Sequence, residues 1–167
     1  PGHPLRGIGC GYFGKDFLKE VEGRGHSPSE AVYAIEPLIR AKGAKVVCPR
    51  DGRLGSSYVD AVTGDGAGKA ECMLSYSWGY AVGDIAETLN RFGSSNTYIW
   101  ICCLCINQHR VKEAQSAGKV VPFEEFKEAF GKRVAGVTHI LAMMSPWHCP
   151  FYIKRAWCVF EFSCAMT

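Results

Sequence analysis

The 167-residue chain contains no apolar run near the roughly 18 to 20 residues that span a bilayer. Its longest, Tyr98 to Ile106, has the length of a buried strand. It also lacks any run of five like charges. Its 19 Lys and Arg and 16 Asp and Glu are dispersed and leave a net charge of +3, which excludes a nucleic-acid arm and a polybasic membrane patch. No closed disulfide framework fits nine cysteines, an odd number. Cys102, Cys103, Cys105, Cys158 and Cys164 lie inside apolar stretches, where cysteine behaves as a small hydrophobe. A reducing intracellular compartment is expected, cytoplasmic or organellar. The chain begins at Pro1 rather than methionine and reads as processed or excerpted, so an organelle address stays open.

Two familiar motifs are incomplete. Gly64-Asp65-Gly66-Ala67-Gly68-Lys69-Ala70 imitates a phosphate-binding loop, but threonine occupies 63 and alanine occupies 70. It also precedes a strand instead of joining strand to helix, so it reads as a linker. Cys102-Cys103-Leu104-Cys105, near His109, has no second pair at zinc-site spacing. Read as a strand, it puts Cys103 and Cys105 on one face and Cys102 on the other, which favours core packing over metal.

What is present is ordinary globular composition, 47% hydrophobic and 21% charged, with length enough for one core. Thirteen of the 19 glycines fall in residues 1–70, predicting a loop-rich N-terminal extension with short helices and one strand. Lys15 to Val21 is amphipathic. Ser27-Pro28-Ser29-Glu30 is a capping box. The helix after it should bury Val32, Ile35 and Ile39, kink or split at Pro37, and stop at Gly43. Ala44 to Cys48 is the strand candidate, and Gly52 to Lys69 is irregular with one helical turn near Tyr58 to Val62.

Residues 71–167 alternate. Strands are expected at Cys72 to Ser77, Tyr98 to Ile106 and Thr138 to Met144. Helices are expected on Val82, Ile85, Leu89 and Phe92, on Phe123, Phe126, Phe130 and Val134 after Pro122, and from Phe151 onward. Arg110 to Lys119 reads as a loop. This order predicts an α/β fold with a parallel sheet flanked by helices. Ligands of such sheets bind beyond the carboxyl ends of the strands. Three turns converge there: Ser77-Trp78-Gly79-Tyr80, Asn107-Gln108-His109 and Ser145-Pro146-Trp147-His148.

Each candidate on that rim has two readings. Ser75 and Ser77 donate to a phosphate or ribose, or cap their own turn. Trp78 and Trp147 stack on a nucleotide ring, or pack as lids. Cys149 or Cys158, with His148 or His139 as base, is the weaker nucleophile reading. Trp157 and Glu161 fall one helical turn apart. Such a pair holds a sugar or nucleotide between an aromatic plate and a carboxylate, or is a buried tryptophan beside a solvated acid.

Three ordered blocks resemble one superfamily. Met73-Leu74-Ser75-Tyr76-Ser77-Trp78-Gly79 is similar to the opening block of fungal heterokaryon-incompatibility (HET) domains. Tyr98-Ile99-Trp100-Ile101 with Leu104-Cys105-Ile106-Asn107-Gln108 resembles their second block, and Arg155-Ala156-Trp157 with Glu161 their third. HET domains are distant relatives of TIR (Toll/interleukin-1 receptor) domains. Leu74 to Ser77 is similar to the first TIR box, and Trp157-Cys158 with Glu161 resembles the TIR W-C-x-x-E helix.

The resemblance, over about residues 72–167, implies a TIR-like, flavodoxin-like sheet. It implies NAD⁺ as substrate, with no prosthetic group, and Glu161 as the catalytic residue of nicotinamide–ribose cleavage. Ser77, Trp78, Gly79, Ser145, Trp147 and Trp157 would surround the dinucleotide. Cys102 stands where HET domains usually carry aspartate, and no second TIR box is recognisable between Asn107 and Phe123. The chain ends one helix past the glutamate, so the fold is expected to be truncated there or completed by the N-terminal region. Two functions follow, an NAD⁺ glycohydrolase first and, as its alternative, a non-catalytic module that docks other proteins, copies of itself or a larger assembly; apart from the resemblance, a cysteine redox sensor would require an exposed low-pKa thiol.

Overall fold

A computed structural model describes residues 5–119 and 123–166, with the side chains of residues 123–127, 129, 157, 161, 162, 164 and 165 outside the description. The fold is mixed α/β. Five strands form one sheet in the order β2-β1-β4-β3-β5. They are β1 (Arg6–Gly9), β2 (Ala67–Lys69), β3 (Cys72–Ser75), β4 (Tyr98–Ile101) and β5 (His139–Ala142).

The expected all-parallel sheet is corrected to a mixed one. β3 pairs in parallel with β4 and with β5, while β1 runs antiparallel to both β2 and β4. Parallel pairs need helical crossovers, and these exist only past residue 70. β1 reaches the sheet by another route. The glycines at 7 and 9, expected as loop punctuation, are strand residues. A Cβ on Gly7 would stand 2.7 Å from the Ile99 carbonyl oxygen, so the close approach of β1 to β4 requires glycine.

The strand expected at 44–48 is absent. Val47 and Leu54 form one isolated bridge, closed by the Cys48 N–H on the Arg53 carbonyl (2.8 Å). This hairpin has no further strand to pair with.

Helical structure begins earlier than expected. α1 (Cys10–Tyr12), a π-helical stretch (Phe13–Phe17) and α2 (Leu18–Gly23) follow one another without leaving helical dihedrals, and bury Phe13, Phe17 and Val21. α3 (Val32–Gly43) buries Val32, Ile35 and Ile39 as predicted. It runs on through Pro37, held by buried Ile35, Leu38 and Ile39 on both sides. The capping box forms, with the Ser27 N–H on Glu30 Oε1 (3.2 Å), but as a turn ahead of the helix. The reason is a cross-chain pairing. The Val32 N–H donates to the Tyr80 carbonyl (3.2 Å), Val82 to Glu30 (3.0 Å) and Gly83 to Pro28 (2.7 Å). The turn at residues 28–31 and the start of α3 are thereby held against the turn after β3, with Ala31 bridged to Ala81.

α4 (Tyr58–Ala61) matches the expected helical turn. α5 (Val82–Phe92) buries Val82, Ile85 and Leu89, while Phe92 faces outward. β4 stops at Ile101, and Cys102–Cys105 is a helical turn, α6, rather than more strand. Its partner β3 ends at Ser75, so the chain past Ile101 has no ladder to join. The expected loop after Arg110 is α7 (Gln108–Ser116), capped by Asn107 Oδ1 accepting from His109 N–H (3.0 Å) and Arg110 N–H (3.4 Å). α8 (Phe123–Val134) and α9 (Ala156–Ala165) complete the chain, with a 3₁₀ turn at Tyr152–Lys154 before α9. Pro122 lies outside the described residues.

One hydrophobic core spans both halves of the sequence. Ile8, Phe13 and Phe17 share it with Met73, Ile85, Leu89, Ile99 and Phe130.

Candidate functional site at the carboxyl edge of the parallel strands

From β3 the chain crosses to β4 on one side, then returns to β5 on the other. In open sheets that reversal leaves a crevice beyond the carboxyl ends of the strands. The residues after β3 and β5 and the start of α9 all meet there.

Tyr76, Ser77 and Trp78 follow β3. Ser77 is buried, and its Oγ accepts the Gly79 N–H at 3.2 Å, the turn-capping arrangement. The Trp78 indole donates to Cys102 Sγ (3.2 Å), and its ring lies 5.5 Å from that of Tyr33. Gly79 is exposed at the tip. Ser75, one turn deeper, shares a 2.7 Å hydrogen bond with the buried Tyr152 hydroxyl.

The residues after β5 are held by Tyr80. Its hydroxyl donates to the Ser145 carbonyl (2.6 Å) and accepts the Ser145 N–H (3.1 Å). Ser145 is exposed, and Trp147 is 86% exposed. Trp78 and Trp147 therefore differ: the first is pinned by two neighbours, the second faces solvent.

α9 starts at this edge. The Cys158 thiol donates to the Tyr76 carbonyl (3.6 Å), which seats the first turn of α9 on the end of β3. Phe160 packs on Phe130 of α8, with ring centroids 5.9 Å apart. Trp157 and Glu161 both fall within α9, one turn apart; their side chains lie outside the described residues. Arg155, at the α9 N-cap, donates to the Tyr33 hydroxyl (2.7 Å). Tyr33 thus joins the rim from the N-terminal region, a partner no local sequence signal announced.

Burial favours the neutral form of three groups beneath the rim. Burial, then the neighbouring Cys102 and Cys103, pushes the Tyr76 phenol well above its usual value. Burial likewise raises the Cys103 thiol, and burial raises Tyr80. Such groups donate hydrogen bonds and do not act as bases near neutral pH. Cys149 is exposed, Cys158 is buried, and no group of three His, Cys, Asp or Glu side chains stands at metal-binding range among the described residues.

A second feature of this edge was missed in the sequence. Because β1 is antiparallel to β4, its first residue, Arg6, lies at the carboxyl end of β4, paired with Lys69. Arg50 and Arg133 join them around a cleft. No periodicity or motif links residues so far apart in the chain.

No protein-family model, curated protein or solved structure matches the chain.

Proposed function

We propose that this chain is a TIR/HET-like domain that holds NAD⁺ at the carboxyl edge of β3 and β5 and hydrolyses its nicotinamide–ribose bond. The observation that carries the reading is the seating of α9 on the end of β3, where the strand order reverses. That seating brings the helix bearing Trp157 and Glu161 to the crevice used by ligands of doubly wound sheets. The order β4-β3-β5, with the first parallel strand central, supports a flavodoxin-like arrangement.

The reaction breaks the C–N bond through an oxocarbenium-like ribose, as in glycoside hydrolysis. Nicotinamide departs neutral with the bonding electrons, and water adds to the ribose carbon and releases one proton to solvent. Glu161 supplies the carboxylate that stabilises the developing positive charge and holds the ribose hydroxyls. Trp157 positions that carboxylate. Exposed Trp147 and Ser145 contact the dinucleotide from the β5 side, and Trp78 and Gly79 from the β3 side, where buried Ser77 holds the turn. No prosthetic group is required.

Nicotinamide release from NAD⁺ tests the reading. Turnover should fall about a hundredfold or more in Glu161→Gln. Equal turnover by the variant would remove Glu161 from the chemistry.

A second reading is favoured by one observation. The 28–33 segment and the Tyr33–Arg155 bond lie across the same edge. A rim tied down in this way suits a non-catalytic module that docks other proteins or its own copies within a larger assembly. Absence of nicotinamide release, with concentration-dependent self-association of the same sample, would favour it.

A further inference from the structure

The cleft at the carboxyl end of β4 combines four cations with little to neutralise them. It comprises two adjoining cavities of about 270 and 180 Å³ that share Leu5, Arg6 and Arg50. Lys69 and Asp60 line the first; Trp100, Asn107 and Arg133 line the second. Asp60 is the carboxylate among these lining residues. Its side chain is only 3% exposed and already bonds Arg50 and the Ser57 hydroxyl.

The donors are incompletely used. Arg6 gives Nε to the Val59 carbonyl (3.0 Å) and one Nη2 proton to Val62 (3.2 Å), and its remaining N–H groups are uncommitted among the described residues. Arg133 is half-buried on α8 with its guanidinium 5.7 Å from the Trp100 ring centroid. It makes no hydrogen bond or ion pair to a described residue. Burial first, and the charge of Arg50 second, lower its affinity for its proton. A partly desolvated guanidinium with no ion-pair partner among the described residues is unfavourable until an anion enters.

We infer that this cleft is a binding site for a phosphate or pyrophosphate group, gripped by Arg133, Arg50, Arg6 and Lys69. Guanidinium forks match phosphate oxygens in pairs, which a spherical anion does not exploit. Size limits the occupant. Each cavity alone is smaller than the about 300–1,000 Å³ of a whole-ligand site, so either one holds a phosphate or pyrophosphate group. Asn107 is fixed in the cavity wall, its Oδ1 capping α7 and one amide proton donated to the Gly55 carbonyl (2.8 Å). The site shares no residue with the Glu161 candidate and stands independently of the NAD⁺ reading.

Thermal unfolding and calorimetric titration of the full chain test it. Inorganic phosphate, pyrophosphate, ADP and sulfate are compared in chloride buffers of equal ionic strength. A ligand that binds only the folded state raises Tm with concentration. Pyrophosphate or ADP should raise Tm saturably and at lower concentration than sulfate. Tighter ADP binding assigns the phosphate to a nucleotide; tighter pyrophosphate binding assigns it to a free ion. Arg133→Met should leave Tm in chloride unchanged or higher and weaken pyrophosphate binding about tenfold or more. Lys69→Gln, an exposed-lip variant that should fold normally, should weaken it a few-fold. Shifts no larger than those of sulfate, or shifts unchanged in both variants, overturn the site. A lower Tm in chloride for Arg133→Met with undiminished pyrophosphate binding assigns Arg133 to packing alone and also overturns it.

Discussion

Replacing Gly43 by alanine drives a methyl group into backbone. Gly43 ends α3, and its carbonyl accepts N–H groups from Val46 (3.0 Å) and Ser56 (3.0 Å). A Cβ there would sit 2.2 Å from the Ser56 carbonyl oxygen and 3.0 Å from its hydroxyl. That is about 1 Å short of an ordinary C···O contact. Ser56 is buried and cannot swing aside, so the α3 terminus and the segment before α4 must separate. Overpacking costs about 1–3 kcal/mol, and straining two hydrogen bonds adds roughly 1 kcal/mol. For a chain of this length each kcal/mol moves Tm by about 2–4 °C, so Gly43→Ala should lower Tm by roughly 5–15 °C. Gly131, inside α8, has nothing within 4 Å of its Cβ position. There alanine should stabilise the helix by about 0.5–1 kcal/mol. Circular dichroism melts of both variants compare the same chemical change at two sites. A Gly43→Ala Tm at or above wild type refutes the reasoning, as does movement of both variants in one direction by similar amounts. The damage should also reach the phosphate cleft, since Ser57, next to Ser56, bonds Asp60, and Asp60 holds Arg50.

The remaining predictions concern charge and thiols. The Arg110 guanidinium contacts both Asp51 carboxylate oxygens (2.6 and 3.2 Å) and, with the Arg53 N–H, holds that carboxyl well below the usual carboxylate range. A depressed folded-state pKa stabilises fully above the unfolded value near about 4 and is lost as pH falls toward the folded one. The Tm difference between wild type and Arg110→Gln should therefore be constant near neutrality and narrow below about pH 4; a gap unchanged down to pH 2 would contradict the pairing. Burial pushes the Cys10 thiol up to about 11, and raises Cys103 and Cys105 as well, whereas Cys149 is exposed. Iodoacetamide on the native protein should label Cys149 well ahead of those three, read by peptide mass mapping; equal rates would overturn the assignment.

How far the sequence reached depended on whether a signal was local. Val82, Ile85 and Leu89 share a helical stripe, and α5 is where that stripe placed it. The starts of β3 and β4 were equally legible from β-forming apolar runs. β1 was not, because Gly7 and Gly9 carry no side chain for a pattern to register; their strand exists through contact with β2 and β4. The 102–105 stretch failed for the opposite reason. Its apolar run continues past the point where β3 stops offering a partner, so composition outlasted the ladder. α7 is polar along much of its length, and the Asn107 cap was its one clear signal. Trp157 and Glu161 were readable as a pair because a helix turn sets their spacing. Arg6, Arg50, Lys69 and Arg133 were not, since only the antiparallel return of β1 and the packing of α8 bring them together.

The place of β1 has a consequence for how the chain assembles. Its first strand lies inside the sheet, yet Gly9 must wait for Tyr98 before its second side is paired. On a ribosome, Arg6–Gly9 meets β2 first, and the two-stranded ribbon waits to receive β4. Long waits of this kind slow folding, because distant ends must be brought together before any contact rewards them. The same geometry governs dissection. Cutting before β3 would strip β1 from β4 and leave Ile99 and Ile101 on a bare, apolar strand edge, the form of edge that recruits other chains.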